Sequence, residues 1–204
     1  MVKIHILGGP GSGKTTLAQI ISSRFHIPHY DLDKINLEQE SAITIAEQPA
    51  WITEGIYLIS TEPMLYHADC IVLLTTFWPV AAWRIIHRHI SNSLHRTQLY
   101  PGINGVKLLF KLLKGTRRYY LNQDHVNRPS IESLYMFQDT CREIAAPPTE
   151  EFVQMYFETY RGIAAPPTEE FVRRYLERYK EKVFLVKNNA DRERLLDFLT
   201  NIGT

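Results

Sequence analysis

The sequence predicts an α/β fold: a five-stranded parallel sheet with helices on both faces, in a single domain spanning residues 1–204. Three observations predict it. Short apolar, β-branched runs alternate with longer stretches of helical periodicity, the pattern of strand–helix–strand units. The first such run breaks into a glycine-rich turn that opens a helix. The composition, 45% hydrophobic and 22% charged over 204 residues, is that of a globular chain able to bury a core.

Val2 to Leu7 reads as a strand buried on both faces, because it is apolar throughout rather than alternating. Lys14 to Phe25 follows as a helix, with Leu17, Ile20, Ile21 and Phe25 at helical spacing. Ile27 to Asp31, Trp51 to Glu54, Cys70 to Thr76 and Lys182 to Val186 supply the other strands. Val80 to Leu94, Val106 to Tyr120, Ser130 to Ile144 and Ala190 to Leu199 supply the other helices. Four strands fall in the N-terminal half, so the section before the fifth reads as a helical excursion.

Other classes are excluded by composition. With 10 Gly, 11 Pro and 2 Cys the chain is neither collagen-like nor a disulfide scaffold. No apolar run reaches the roughly 18–20 residues of a bilayer span. The segment Met1 to Leu7 lacks the basic start and cleavage site of a signal peptide. Cys70 heads an apolar run and reads as a buried free thiol, and a reducing cytoplasm is the expected compartment.

The net charge of +1 hides an asymmetry. Between Asp69 and Asp124 there is no acidic residue, while Arg84, Arg88, Arg96, Lys107, Lys111, Lys114, Arg117 and Arg118 all fall there. A basic middle third in a near-neutral chain points to a polyanion. Lys107, Lys111, Lys114 and Arg118 form one cationic stripe opposite Leu108, Leu109, Leu112 and Leu113. That stripe reads as a lid over phosphates (residues about 95–125), as a solvated surface helix, or as a membrane-surface helix.

An internal repeat lies within the excursion. Residues 144–153, Ile-Ala-Ala-Pro-Pro-Thr-Glu-Glu-Phe-Val, recur unchanged at 163–172. Tyr156, Glu158 and Tyr160 then match Tyr175, Glu177 and Tyr179, so the duplicated segment covers 144–181. Thr149 and Thr168 are the expected caps of a short helix in each copy. Two copies are too few for a solenoid.

The chemistry begins at Gly8-Gly9-Pro10-Gly11-Ser12-Gly13-Lys14-Thr15, a complete G-x-x-x-x-G-K-[ST] between a strand and a helix. Gly9, Gly11, Ser12 and Gly13 let successive backbone N–H groups face one anion, and the helix dipole points at the same place. Lys14 can reach the β- and γ-phosphates of ATP and the Thr15 hydroxyl can hold Mg²⁺, with Thr16 as a further candidate of the same site. The pattern reads as the phosphate loop of a P-loop NTPase. Such sites need acids at neighbouring strand ends, where ligands of open parallel sheets gather. Asp31 and Asp33 at the second strand and Glu54 at the third supply them; if the second strand continues, both aspartates share one side. Asp33 is the expected catalytic acid or base, with Asp33 and Glu54 as metal candidates beside Thr15. Arg84 and Arg88, four apart on the helix after the fourth strand, lie on one face as part of the basic section. Arg117 and Arg118 are the lid candidates.

These segments together resemble the adenylate-kinase-related P-loop kinases, and within them the small topology modulation proteins. The loop at Gly8–Thr15, the phrase His29-Tyr-Asp-Leu-Asp-Lys-Ile35, Trp51-Ile-Thr-Glu-Gly-Ile-Tyr57 and Arg84-Ile-Ile-His-Arg88 carry the likeness. It covers roughly residues 2 to 90, with an echo at Phe184 to Leu199. The resemblance implies an ATP- and Mg²⁺-dependent kinase acting on a small molecule such as a nucleotide or nucleoside. It implies that Arg84 lies against the adenine and Arg88 contacts phosphates. It departs after Glu54-Gly55, where Ile56-Tyr57-Leu58 stands in place of the arginine that grips AMP, and at Thr75 in place of an Asp. The alternative is a nucleotide-dependent regulatory ATPase or a nucleic-acid-binding switch with the basic section as its contact surface. A GTPase would carry N-K-x-D, which Lys187-Asn188-Asn189-Ala190-Asp191 does not match.

Overall fold

The computed structural model describes residues 2–35, 44–58, 61–94, 103–123 and 168–202, together with Tyr135 and Gln138. The first repeat copy and most of the expected helix Ser130–Ile144 lie outside the described residues, as do 95–102 and 124–125 of the expected lid. In chain order the elements are β1 (Lys3–Gly8), α1 (Lys14–Phe25), β2 (His29–Asp31), a helical turn α2 at 44–47, β3 (Trp51–Gly55), α3 (Glu62–His67), β4 (Cys70–Leu74), α4 (Trp78–Leu94) and α5 (Ile103–Tyr120). Then come α6 (Glu169–Tyr175), a 3₁₀ helix (Leu176–Lys182), β5 (Val183–Val186) and α7 (Asn189–Ile202).

All five strands are parallel, in the order β2-β3-β1-β4-β5. The central strands are apolar without alternation because both sheet faces are covered. Every residue of β4, Cys-Ile-Val-Leu-Leu, is buried. On one face Ile4, Ile6, Ile52 and Val72 pack with Leu17 and Ile21 of α1 and Leu195 and Leu199 of α7. On the other, Leu7, Trp51, Ile71 and Leu73 pack with Leu65 of α3, Tyr119 of α5, and Phe171, Tyr175 and Tyr179. Each such aliphatic side chain, fully buried, contributes about 1.5–3 kcal/mol. Among the described residues no helix is long and apolar enough to cross a membrane.

The strands and helices that fall within the described residues lie where the periodicity places them, with ends shifted by at most three residues. Two differences change the reading of the site. β2 ends at Asp31 instead of continuing: the Asp33 N–H donates to Asp31 Oδ1 at 3.1 Å, an Asx turn that competes with the sheet ladder. Asp31 and Asp33 are therefore related by a turn, not by strand alternation. The six-residue α3, opened by Thr61-Glu62-Pro63, has no counterpart in the expected elements, being too short for a periodic signal. Cys70 is a buried free thiol, and burial pushes its pKa up to about 12.

Candidate functional site

The carboxyl ends of all five strands share one edge of the sheet, and the glycine-rich loop sits at its middle, after the central β1. Gly11 (φ 77°) and Gly13 (φ 100°) adopt the left-handed conformation, which turns the loop's backbone inward before α1 begins. The Ser12 N–H donates to Gly9 O at 3.2 Å, closing the curl. From outside, Arg84 of α4 holds the loop: its Nη1 donates to Gly11 O at 3.2 Å and to Ser12 O at 3.0 Å. Tyr120 at the end of α5 donates to Pro10 O at 3.2 Å.

Gly9 has a different reason to be glycine. A Cβ there would lie 2.4 Å from Tyr119 Cε1 and 2.9 Å from Tyr120 Cζ. The two rings meet edge-on, with centroids 4.9 Å apart, and Tyr119 is only 2% exposed. Burial pushes both phenols well above their usual range. These tyrosines, not singled out from the sequence, form the wall behind the loop. The signal was present: Leu108, Leu112 and Tyr119 lie on one helical face, so the apolar stripe of α5 ends in an aromatic.

Lys14 gathers the charges. Burial lowers its pKa, while Glu54, Asp33 and Asp31 raise it and Arg88 lowers it further, so these five side chains share one electrostatic neighbourhood. The Lys14 ammonium spans the loop toward Gly9 O at 3.5 Å. Glu54 is 1% exposed, between β2 and β1 and opposite Asp31 in register. Its Oε1 lies 3.9 Å from His29 Nε2, and neither atom has a hydrogen-bond partner among the described residues. Asp31 pairs with Lys34 Nζ at 2.8 Å, whereas Asp33 is exposed. Tyr57 faces Asp33, and its pKa is raised by burial first and by that carboxylate second. Thr15 is half-buried in the first turn of α1, and Thr16 is exposed.

Beside the loop opens a cleft of about 330 Å³, lined by Ser12, Gly13 and Thr16, by Thr75, by Arg84 and by Asn188. Its far wall is the β5–α7 turn, fixed by a reciprocal cap: Asp191 N–H donates to Asn188 Oδ1, and Lys187 N–H to Asp191 Oδ2. Arg84 thus borders the cleft while clamped to the loop, and Arg88 lies one turn further along α4. Arg117 and Arg118 are exposed in the last turn of α5, next to the tyrosines that touch the loop.

Glu54 Oε1 is a buried carboxylate oxygen without a hydrogen-bond partner among the described residues, and the side-chain oxygens of Thr15, Glu54 and Asp33 are of the chemical type that suits Mg²⁺. Among the described residues no group of three or more His, Cys, Asp and Glu side chains gathers as a metal site.

No known protein family matches the chain, and no curated protein matches it. Among solved structures, the shikimate kinase from Bacteroides thetaiotaomicron is similar over 57% of this chain and 78% of its own, at 18% identity and a TM-score of 0.34. A gluconokinase from Sinorhizobium meliloti is similar over 57% and 92%, at 17% identity and 0.36. A protein from Eubacterium ventriosum is similar over 58% and 75%, at 14% identity and 0.39. The chain's own strand order, with the glycine loop between central β1 and α1, is that of an α/β P-loop fold.

Proposed function

We propose that the chain is an ATP-dependent kinase that transfers a phosphoryl group to a small-molecule acceptor, a nucleoside or nucleotide by its resemblance to the adenylate-kinase-related enzymes and their topology modulation subgroup. The observation that carries the proposal is the glycine-rich loop curled by Gly11 and Gly13 at the middle of the sheet's carboxyl edge, with Lys14 opening α1 and with Glu54 and Asp31 in register on the neighbouring strands. A phosphoryl group in transfer spreads negative charge over its oxygens, so the protein's work is positioning and charge stabilisation. Loop amides and Lys14 hold the phosphates, and the cleft bordered by Arg84 takes base and sugar. Arg88 meets the charge on the transferring group. Asp33, exposed on the open side, orients or deprotonates the acceptor hydroxyl. Thr15 with Glu54 or Asp33 would hold Mg²⁺, whose chemistry there would be to offset the charge of the outer phosphates. Arg117 and Arg118 complete the wall that keeps water from competing as acceptor.

The exposed cations of α5 favour a second reading, a nucleotide-dependent regulator that contacts nucleic acid. One experiment separates the two: ADP release from MgATP with a panel of nucleosides, nucleotides and sugars, beside nucleic-acid binding at several salt concentrations. Phosphotransfer predicts acceptor-dependent ADP release that Lys14→Ala lowers by at least about a hundredfold. Asp33→Asn should lower kcat far more than nucleotide affinity. No acceptor-dependent release, together with steeply salt-dependent nucleic-acid binding, overturns the kinase reading.

A further inference from the structure

The second repeat copy does structural work that the loop chemistry does not explain. Thr168 caps α6, accepting from Phe171 N–H at 3.2 Å. Phe171, Val172, Tyr175, Leu176 and Tyr179 are all buried in the core on the α3 face of the sheet. At its floor is Glu62, a carboxylate 2% exposed. Tyr175 Oη donates to Glu62 Oε2 at 2.8 Å, and Tyr179 Oη donates to Glu62 Oε1. The Glu170 N–H donates to Asn122 Oδ1 at 2.9 Å, fixing the entry. The side chains that this Glu62 slot holds follow the spacing Thr-x-x-Phe-Val-x-x-Tyr-x-x-x-Tyr.

The chain carries that pattern twice. In the first copy, at residues 144–162, the anchors recur as Thr149, Phe152, Val153, Tyr156 and Tyr160, with Phe157 at the position of Leu176. The other differences are Gln154 for Arg173, Met155 for Arg174, Thr159 for Arg178, Arg161 for Lys180 and Gly162 for Glu181. Arg173, Arg174, Lys180 and Glu181 are exposed and Arg178 half-buried. Of the six buried positions from Thr168 to Tyr179 five are identical and the sixth, Leu176, is exchanged for Phe157, whereas the exposed Glu170 and Glu177 are also kept.

From this pattern we propose that the Glu62 slot is a docking site for either copy of the repeat, the first copy of the same chain being its alternative occupant. Exchange moves nineteen residues from the connection before the docked helix to the one after it. A flexible connection tolerates such lengthening at a cost that grows only with the logarithm of its length. The second copy is the preferred occupant because Arg178 donates to Tyr135 O at 3.1 Å and stacks on that ring at 5.5 Å, and Lys182 donates to Tyr66 O at 2.9 Å. The first copy has Thr159 and Ile163 at those positions.

The test uses the full chain with three variants: Phe171→Ala with Tyr175→Ala, Phe152→Ala with Tyr156→Ala, and all four together. Thermal unfolding reads the fold, and tryptic cleavage after Arg173 and Arg174 reads release of the second copy. Exchange predicts that the second-copy variant stays cooperatively folded while those sites are cut more than about tenfold faster. It predicts a silent first-copy variant and a combined variant whose loss far exceeds the two single losses together. If the second-copy variant alone loses as much as the combined one, the slot has a single occupant and the proposal fails. A second-copy variant that folds only as a dimer would assign the alternative occupant to another chain, and would overturn the exchange within one chain.

Discussion

Substituting Gly9 by alanine isolates the contact between the phosphate loop and the end of α5. Among the described glycines only Gly11 and Gly13 have positive φ, so an alanine at position 9 meets no backbone objection and tests space alone. Its Cβ would stand 2.4 and 2.5 Å from two carbons of the Tyr119 ring. Carbon contacts settle at about 3.5–4.0 Å, so the overlap exceeds roughly 1 Å, and the ring cannot swing into solvent because it is packed in the core. Overpacking of this kind costs about 1–3 kcal/mol, a fall in Tm of about 2–4 °C for each kcal/mol in a chain of this size. The assay is a double-mutant cycle by urea unfolding. Tyr119→Ala removes the nearer obstacle and leaves only Tyr120 Cζ at 2.9 Å, so adding Gly9→Ala to it should cost less than in the parent, leaving a coupling of about 1–2 kcal/mol. Nucleotide affinity should fall in Gly9→Ala and recover part of the way in the double variant. Strictly additive losses, or a Gly9→Ala protein as stable as its parent, would refute the wall behind the loop.

Other perturbations report on other parts of the fold. His5 is buried, its Nδ1 paired with Thr53 Oγ1 at 2.7 Å, and burial lowers its pKa to about 3. Because the unfolded chain takes up the proton first, stability falls as pH drops below about 6.5, by about 2 kcal/mol at pH 5, and His5→Gln should flatten that limb in urea titrations at the two pH values. The thiol of Cys70 should resist aromatic disulfide reagents at pH 8 in the folded state and react at once in denaturant. Above about pH 9 the same raised pKa costs stability up to about pH 12, and Cys70→Ala should remove that share while leaving the share of the buried phenols Tyr119 and Tyr120. Glu62→Leu strands two buried phenols and should cost on the order of 2–4 kcal/mol in urea unfolding, while Glu62→Gln, which keeps one acceptor, should cost less.

How much of this was legible in the sequence depends on the range of the interaction concerned. β4 was legible because a strand buried on both faces must be apolar at every position, and Cys70 to Leu74 is. The loop was legible because its glycines and Lys14 act through backbone geometry within eight residues. That Glu54 and Lys14 stand at the same edge of the sheet followed from the strand-edge rule, since parallel strands end there together. The partnership of Glu62 with Tyr175 and Tyr179 was not, because more than a hundred residues separate the partners and no local pattern records which aromatic reaches which acid. Asp33 shows the intermediate case: its presence at the edge was readable, but a local Asx turn overrode the strand continuation that alternate spacing suggested. The repeat was plain as text, yet its meaning needed the slot, since the sequence alone does not say which of its positions are buried against Glu62.

The sheet order also has a consequence for synthesis. β4 pairs with β1 on one side and with β5 on the other, yet β5 leaves the ribosome more than a hundred residues after β4. Throughout that interval the nascent chain carries a flat, wholly apolar strand with one ladder of N–H and C=O groups unpaired, the kind of edge that recruits foreign strands. A ribosome stall or truncation between Thr75 and Lys182 should therefore release a fragment that aggregates, whereas loss of α7 alone would leave the edge already sealed by Val183–Val186.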